Sequence, residues 1–265
     1  MDFVLPVAVA VAAWWISTVV LIYRAGLPTV SFRVTLAGAT AVMLLGAWAV
    51  VASRDDASNA GAYLAFLGAL AVWGWHEVSY LFGFVTGPRP SPCPPGCRGW
   101  ERFVYGLKTC AYHEIAIVAT AGLIAAVTWD AANRVALWTF VILWLMRWSA
   151  KLYIFFGVRN FHAEFWPEHL RYLETFVRER PMNGLFPWSV LLAGAGLAVL
   201  GTTALEAGVD SPRRTGSVLL ATLLALATVE HIFLVLRIPD ERLWGAGLRS
   251  RRAAAPLPRK AEQRL

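Results

Sequence analysis

The chain has 265 residues, of which 58% are hydrophobic and only 15% are charged, and its mean hydropathy is +0.55. A soluble domain usually has about 25% charged and roughly 45–50% apolar residues, so this composition excludes an ordinary soluble protein and predicts several membrane crossings. The formal net charge of +7 does not indicate nucleic-acid binding, because membrane proteins collect basic residues on their cytoplasmic side.

Seven apolar runs are long enough to cross a bilayer, which requires about 20 residues each. The predicted fold class is therefore an all-α, polytopic integral-membrane helix bundle of about seven transmembrane helices. Residues 1–248 are expected to form one transmembrane domain, and the basic, proline-containing tail 249–265 is expected to be disordered. The runs cover approximately residues 3–23, 33–53, 61–85, 103–129, 135–157, 185–208 and 215–237.

Small residues lie close together in some of these runs. Gly38 and Gly46 belong to the second run, and Gly194 and Gly196 belong to the sixth. Small residues let helices approach one another closely in lipid, so these glycines are predicted to mark helix–helix contacts.

Basic residues are distributed unevenly between the two sides that seven spans would create. Twenty Lys and Arg residues fall on the side of the C-terminus, and four fall on the side of the N-terminus. The positive-inside rule then predicts that the N-terminus lies outside and that the C-terminus lies in the cytoplasm.

Two connections on the predicted cytoplasmic side have distinctive sequences. The loop at residues 86–100 is rich in proline, which fixes φ and removes amide donors, so it is expected to be extended or turn-rich. Its Cys93 and Cys97 are expected to be a reduced pair, since two thiols alone are a weak zinc signal. In the connection 158–184, apolar residues at helical spacing predict a short amphipathic helix over about 167–178 on the inner membrane face.

Three pairs of ionisable residues lie within the apolar runs and are the strongest indication of a functional site. Such groups cost roughly 2.5–3.5 kcal/mol each at membrane depth, so they seldom persist there without partners or a task. Counted from the span ends at about 1.5 Å per residue, all three pairs lie in the cytoplasmic half, as do Arg147 and Lys151 of the fifth run. A single buried polar site is therefore predicted. The pairs are His76 with Glu77, His113 with Glu114, and Glu230 with His231.

Two interpretations of this polar site remain open. Imidazole and carboxylate groups suit transition metals, and His76 or His113 alone has the chemistry to ligate haem iron or, by analogy, a chlorin magnesium. Adjacent residues on a helix point about 100° apart, however, so His76 and Glu77 are not expected to face one small ion. None of the runs contains the Glu-x-x-His motif of helix-bundle di-iron sites. In the competing interpretation, the three carboxylates pair with Arg147, Lys151 or a histidine and hold helices together.

Seven short segments carry a further pattern: 73–77, 86–89, 92–96, 112–114, 147–152, 169–173 and 180–183. Together they resemble the PuhE family of purple and related phototrophic bacteria, whose members are associated with assembly of photosynthetic complexes. The resemblance covers roughly residues 10–245, and its proline-rich loop between two His–Glu spans is not a general membrane-protein pattern.

The resemblance implies a multi-pass factor of the bacterial inner (cytoplasmic or intracytoplasmic photosynthetic) membrane. Such a factor supports assembly of the photosynthetic reaction centre and core antenna, or modulates bacteriochlorophyll supply. The implied partners are the lipid bilayer, reaction-centre or antenna subunits and other assembly factors, and not nucleic acid. The resemblance implies no reaction and no catalytic residues.

Two further function classes follow from the residues themselves. One is an integral-membrane metalloenzyme that acts on a tetrapyrrole or isoprenoid and uses the three His/Glu pairs as ligands or acid–base groups. The other is a proton- or ion-coupled transporter, because such transporters use intramembrane carboxylates like these. The absence of a repeat between the two halves of the sequence disfavours the transporter.

Overall fold

A computed structural model describes residues 3–159 and 167–235, which include eight α-helices and no β-strand beyond one isolated bridge between Val158 and Glu179. The all-α prediction is confirmed for these residues. The tail 249–265, for which disorder is predicted, lies outside them. The helices are α1 (Val4–Ala25), α2 (Phe32–Ser53), α3 (Asn59–Leu81), α4 (Gly99–Lys108), α5 (Ala111–Val127), α6 (Val135–Phe156), α7 (Leu185–Glu206) and α8 (Pro212–Val235).

Within the described part of the chain, five helices are long and apolar enough to cross a membrane: α1, α2, α6, α7 and α8. The number becomes six if the bent pair of α4 and α5 is one span. These helices fit a multi-pass membrane protein, although length and composition support five or six spans where the apolar runs predicted seven. The remaining predicted span corresponds to α3, whose 23 residues include His76 and Glu77 and which is not among these helices.

Helix α3 lies at the centre of the bundle and packs against α1, α2, α5, α6 and α8. Its start is fixed by Ser58, whose hydroxyl oxygen accepts a hydrogen bond from the Gly61 amide at 3.1 Å and caps the first turn. Further along, the buried Trp73 ring meets Phe140 of α6 edge to face, with 5.3 Å between ring centroids. Because neighbours surround α3, its polar residues His76 and Ser79 are buried among other helices.

The run predicted as one span over 103–129 is broken at Thr109 and Cys110, where α4 and α5 meet at a bend of 66°. The proline-rich loop causes this break by taking the place of a helical turn. The Arg89 amide donates to the Lys108 carbonyl at 3.1 Å, and the His113 amide donates to the Thr86 carbonyl at 2.9 Å. These bonds satisfy backbone groups that the interrupted helix leaves free.

The Gly87 backbone lies against the broken turn too closely for any side chain. A Cβ atom at this position would be 2.2 Å from the Lys108 carbonyl oxygen. Glycine is therefore required here for steric reasons, which explains one residue of the segment 86–89 that carries the family resemblance.

The connection 158–184 contains a 3₁₀ segment, Glu168–Phe176, where a short amphipathic helix was predicted over about 167–178. Its buried Leu170, Leu173 and Phe176 recur every three residues and pack beside Tyr80 and Cys110, so the apolar face contacts the protein's own helices. The predicted amphipathic helix is therefore present as a 3₁₀ segment whose apolar face packs on the bundle, and these contacts suit the three-residue period of a 3₁₀ helix.

His169 and Tyr172 help to hold this segment against the bundle. The Nε2 atom of His169 lies 3.0 Å from the carbonyl oxygen of Leu81, at the end of α3. Burial lowers the pKa of His169, and the hydrogen bond to Leu81 opposes that shift. Burial also raises the pKa of Tyr172 to about 12. Both side chains are therefore neutral at physiological pH.

Cys93 and Cys97 form a disulfide in the structure, which differs from the reduced pair predicted for this loop. The intervening Pro-Pro-Gly sequence turns the chain back, with Gly96 at φ +82° and the Cys97 amide donating to the Pro94 carbonyl at 3.1 Å. The two Cα atoms are 6.4 Å apart, which is within the range that a disulfide spans.

This pairing predicts the number of free thiols. Protein purified with a thiol-blocking agent and then denatured without reductant is expected to carry one modified cysteine, Cys110, since that is the cysteine outside the disulfide. Reduction before blocking should raise the number to three. Mass spectrometry of the intact chain measures both states, and three blocked thiols without reductant would show that the loop is reduced in the cell.

Candidate functional site

His76 and Glu77 point in different directions from α3. The His76 side chain is buried, and its Nε2 atom lies 3.0 Å from the hydroxyl oxygen of Thr120 on α5. Glu77 turns toward α6, where its Oε2 atom lies 2.9 Å from Nη2 of Arg147. The angular offset between adjacent helical residues accounts for this divergence. The pair therefore connects α3 to two different helices.

Glu114 and Lys151 form a second interhelical ion pair, between α5 and α6. The Lys151 ammonium also lies 5.0 Å from the centroid of the Tyr80 ring, a position suited to a cation–π interaction. Arg147 lies one turn earlier on the same face of α6, so that helix presents two cations toward α3 and α5. Most of each carboxylate side chain is shielded, with 9% of Glu114 and 17% of Glu77 exposed.

His113 is fully buried between α3 and α5. Its ring stacks on Tyr80 with 4.6 Å between centroids, and its centroid is 6.3 Å from that of His76. Neither ring nitrogen of His113 has a hydrogen-bond partner among residues 3–159 and 167–235. Sequence reasoning did not select Tyr80 or Thr120, although both contact the predicted histidines. Tyr80 lies three residues after Glu77, one turn along the same helix, and this spacing was a signal available in the sequence.

The pair on α8 also divides. Glu230 accepts a hydrogen bond from the indole of Trp14 and interacts electrostatically with Arg147. His231 turns the other way, with Nδ1 2.7 Å from the Ala227 carbonyl oxygen and its ring 4.8 Å from that of Tyr153. The structure therefore brings the three glutamates toward the cations of α6, and His231 belongs to a separate contact between α6 and α8.

No three metal-ligating side chains converge within the part of the chain that the structure describes. His76 and His113 are neighbours, but the glutamates beside them are directed at Arg147 and Lys151. The six residues proposed as metalloenzyme ligands are therefore not arranged around one ion.

A cavity of about 720 Å³ lies between α1, α2, α3, α6 and α8. Most of its lining is apolar, and its charged lining residues are Glu77, Arg147, Glu230 and Arg24 of α1. Small-molecule sites are typically about 300–1,000 Å³ and combine apolar walls with a few polar groups. The cavity has the size and lining of such a site.

A smaller cavity of about 140 Å³ lies between α4, α5, α6 and the 3₁₀ segment, and Glu114 and Lys151 line it. Arg147 and Ala150 line both cavities. His76 and His113 line neither one, and their exposed fractions are 2% and 0%. These imidazoles therefore have no open side for a haem or chlorin ring, whereas Arg147 is accessible to a ligand.

Comparisons with known proteins identify the family. The family described as "Protein of unknown function (DUF3623)" matches residues 1–255. Over 235 residues, or 87% of this chain and 85% of the relative, the sequence is 37% identical to a Rhodobacter capsulatus protein described as "Uncharacterized 30.4 kDa protein in puhA 5'region". No solved structure matches the chain significantly. These matches confirm the family resemblance found in the sequence, and the chain belongs to the DUF3623 family.

Proposed function

We propose that this protein is a membrane-embedded factor that supports assembly of the photosynthetic reaction centre and core antenna, or that adjusts bacteriochlorophyll supply to them. The observation that carries the proposal is its 37% identity to a protein of the puhA 5′ region. The match covers 87% of this chain, so the proposed role belongs to the helix bundle as a whole.

The geometry supports a binding role for the polar site. Glu77 and Glu114 are paired with Arg147 and Lys151 and so connect α6 to α3 and α5. A buried charge is stable when it is paired in this way. The large cavity beside Arg147 offers space for a ligand, and we therefore assign these residues to structure and binding and name no catalytic residue.

We further propose that α3 and the bent pair of α4 and α5 both cross the membrane, giving seven spans in the bacterial inner membrane. Helix α3 is about 35 Å long at 1.5 Å per residue, which exceeds the roughly 30 Å of the hydrocarbon core. The distribution of Lys and Arg supports an outside N-terminus and a cytoplasmic C-terminus.

Reporter insertions test this topology. Alkaline phosphatase inserted after residue 57 or 130 should be active, because it folds outside the cytoplasm. A fluorescent protein inserted after residue 90 or at the C-terminus should be fluorescent, because it folds inside. If the reporters inserted after residues 57 and 90 both report the same side of the membrane, α3 does not cross it.

Complementation tests the proposed function. Deletion of the gene for the relative in Rhodobacter capsulatus should lower the reaction-centre and core-antenna absorbance of the membranes. Expression of this chain should restore it. The variant Lys108→Met, changed at an exposed position on α4, should restore it equally. Unchanged absorbance after deletion would contradict a role in assembly or pigment supply.

A further inference from the structure

We propose that the large cavity binds a long-chain amphiphile with an anionic head group. This inference rests on the shape and charge of the cavity and holds whether or not the protein acts in photosynthesis. The cavity lies between five helices, and two glycines in its lining, Gly38 and Gly74, have open space where a side chain would be. The space beside these glycines is therefore available to a ligand.

The polar residues of the cavity are concentrated toward one end. Helices α1 and α3 end on the same side of the bundle, at Ala25 and Leu81. Arg24 and Glu77 lie one and four residues before those ends, which corresponds to a depth of about 6 Å or less. This end of the cavity is suited to a polar head group.

The opposite end of the cavity is apolar. Leu67 and Leu70 on α3 lie 14 and 11 residues before the end of that helix, or about 21 and 16 Å deeper at 1.5 Å per residue. Val42 of α2 and Leu223 of α8 line the same region. A hydrocarbon or isoprenoid chain matches this lining, because it buries apolar surface without leaving a polar group unsatisfied.

Arg24 supplies a cation at the polar end of the cavity. Its guanidinium lines the cavity in the last turn of α1, and its hydrogen bonds go to the Thr35 hydroxyl, with Nε at 3.0 Å. No carboxylate pairs with Arg24 among the residues of the described ranges, whereas Arg147 is paired with Glu77. A planar guanidinium binds phosphate and carboxylate groups through two parallel hydrogen bonds. An anionic head group would thus complete the polar end of the cavity.

Native mass spectrometry of the full chain in detergent tests the proposal. Washed protein is incubated with phosphatidylglycerol or with phosphatidylcholine carrying identical chains, and bound molecules are counted. We expect one phosphatidylglycerol per chain. Gly38→Leu and Gly74→Leu should each weaken binding by about tenfold or more, because the new side chain fills the cavity. The matched control Gly194→Leu, at an exposed position with open space outside the cavity, should bind normally.

A second pair of variants tests whether binding requires an anionic head group. Arg24→Gln should remove the preference for phosphatidylglycerol over phosphatidylcholine, while Arg33→Gln, changed at an exposed position outside the cavity lining, should keep it. Equal binding by wild type, Gly38→Leu and Gly74→Leu would overturn the proposal, and so would no binding by the wild type. Melting temperatures of all variants separate loss of binding from loss of folding.

The natural source of the ligand is identified by mass analysis of molecules that co-purify with unwashed protein. A phospholipid would show that the cavity takes its ligand from the bilayer. An isoprenoid carboxylate or phosphate would show that it holds a more specialised amphiphile. Either result fits the proposed chemistry. A neutral or cationic molecule that co-purifies with the wild type but not with Gly38→Leu would contradict it.

Discussion

Lys151→Met is expected to destabilise the protein by about 3–5 kcal/mol, because it leaves the carboxylate of Glu114 buried without its cation. Only 9% of the Glu114 side chain and 22% of the Lys151 side chain are exposed, so water replaces little of the lost interaction. The cation–π contact with Tyr80 is lost as well. Reversible unfolding in mixed detergent micelles, followed by circular dichroism, measures the change in the free energy of unfolding.

A double-mutant comparison separates the ion pair from other effects. Glu114→Gln in the Lys151→Met background should recover most of the lost stability, because the isolated charge is removed. Lys108→Met provides the matched control, since it removes the same chemical group from an exposed position on α4. A similar loss in the control, or no recovery in the double variant, would show that the pairing of Glu114 with Lys151 does not hold α5 against α6.

Hydropathy predicted most helix bounds well because a continuous apolar run and a membrane-spanning helix have the same length. The run 33–53 corresponds to α2 at Phe32–Ser53, and the run 135–157 corresponds to α6 at Val135–Phe156. The break between α4 and α5 was not predictable in this way. It depends on hydrogen bonds to Thr86 and Arg89 of a distant loop, which leave no signal in the hydropathy of the run itself.

The sequence predicted part of the polar site, because helix geometry fixes the angle between neighbouring side chains. The offset of about 100° between neighbours implied that His76 and Glu77 would not face one ion, and they contact Thr120 and Arg147 respectively. The rotation of each helix about its own axis, which decides the neighbour that each side chain faces, was not predictable. Hydropathy is nearly uniform around a buried helix such as α3. The cavity depends on that rotation, and so does the separation of His231 from the other histidines.

Small residues had different roles that sequence spacing alone did not distinguish. Gly38 and Gly46 lie on the same helix and were both predicted to mark helix contacts. Gly46 meets α3, where an added Cβ atom would be 2.7 Å from the Gly68 carbonyl oxygen. Gly38 faces open space in the cavity. One glycine therefore permits close helix packing and the other leaves room for a ligand.

Gly46→Leu is consequently expected to disrupt the packing of α2 on α3, the most extensive helix contact in the described residues. Even the first carbon of the new side chain would overlap Ala71 and the backbone of Gly68, each at 2.7 Å. Backbone atoms do not move aside as a flexible side chain does, so the two helices must separate. Overpacking of this kind typically costs about 1–3 kcal/mol or more, and here it acts along a whole helix pair.

Gly194→Leu is the matched control for this variant, because an added Cβ at Gly194 meets no atom within 4 Å and this residue lies outside the cavity lining. The control should keep the melting temperature of the wild type within a few degrees, whereas Gly46→Leu should lower it strongly or prevent recovery of folded protein. Thermal unfolding of both variants in one detergent makes the comparison direct. If Gly46→Leu melts at the same temperature as the control, α2 does not pack on α3 through Gly46, and these two helices do not form the cavity wall in this way.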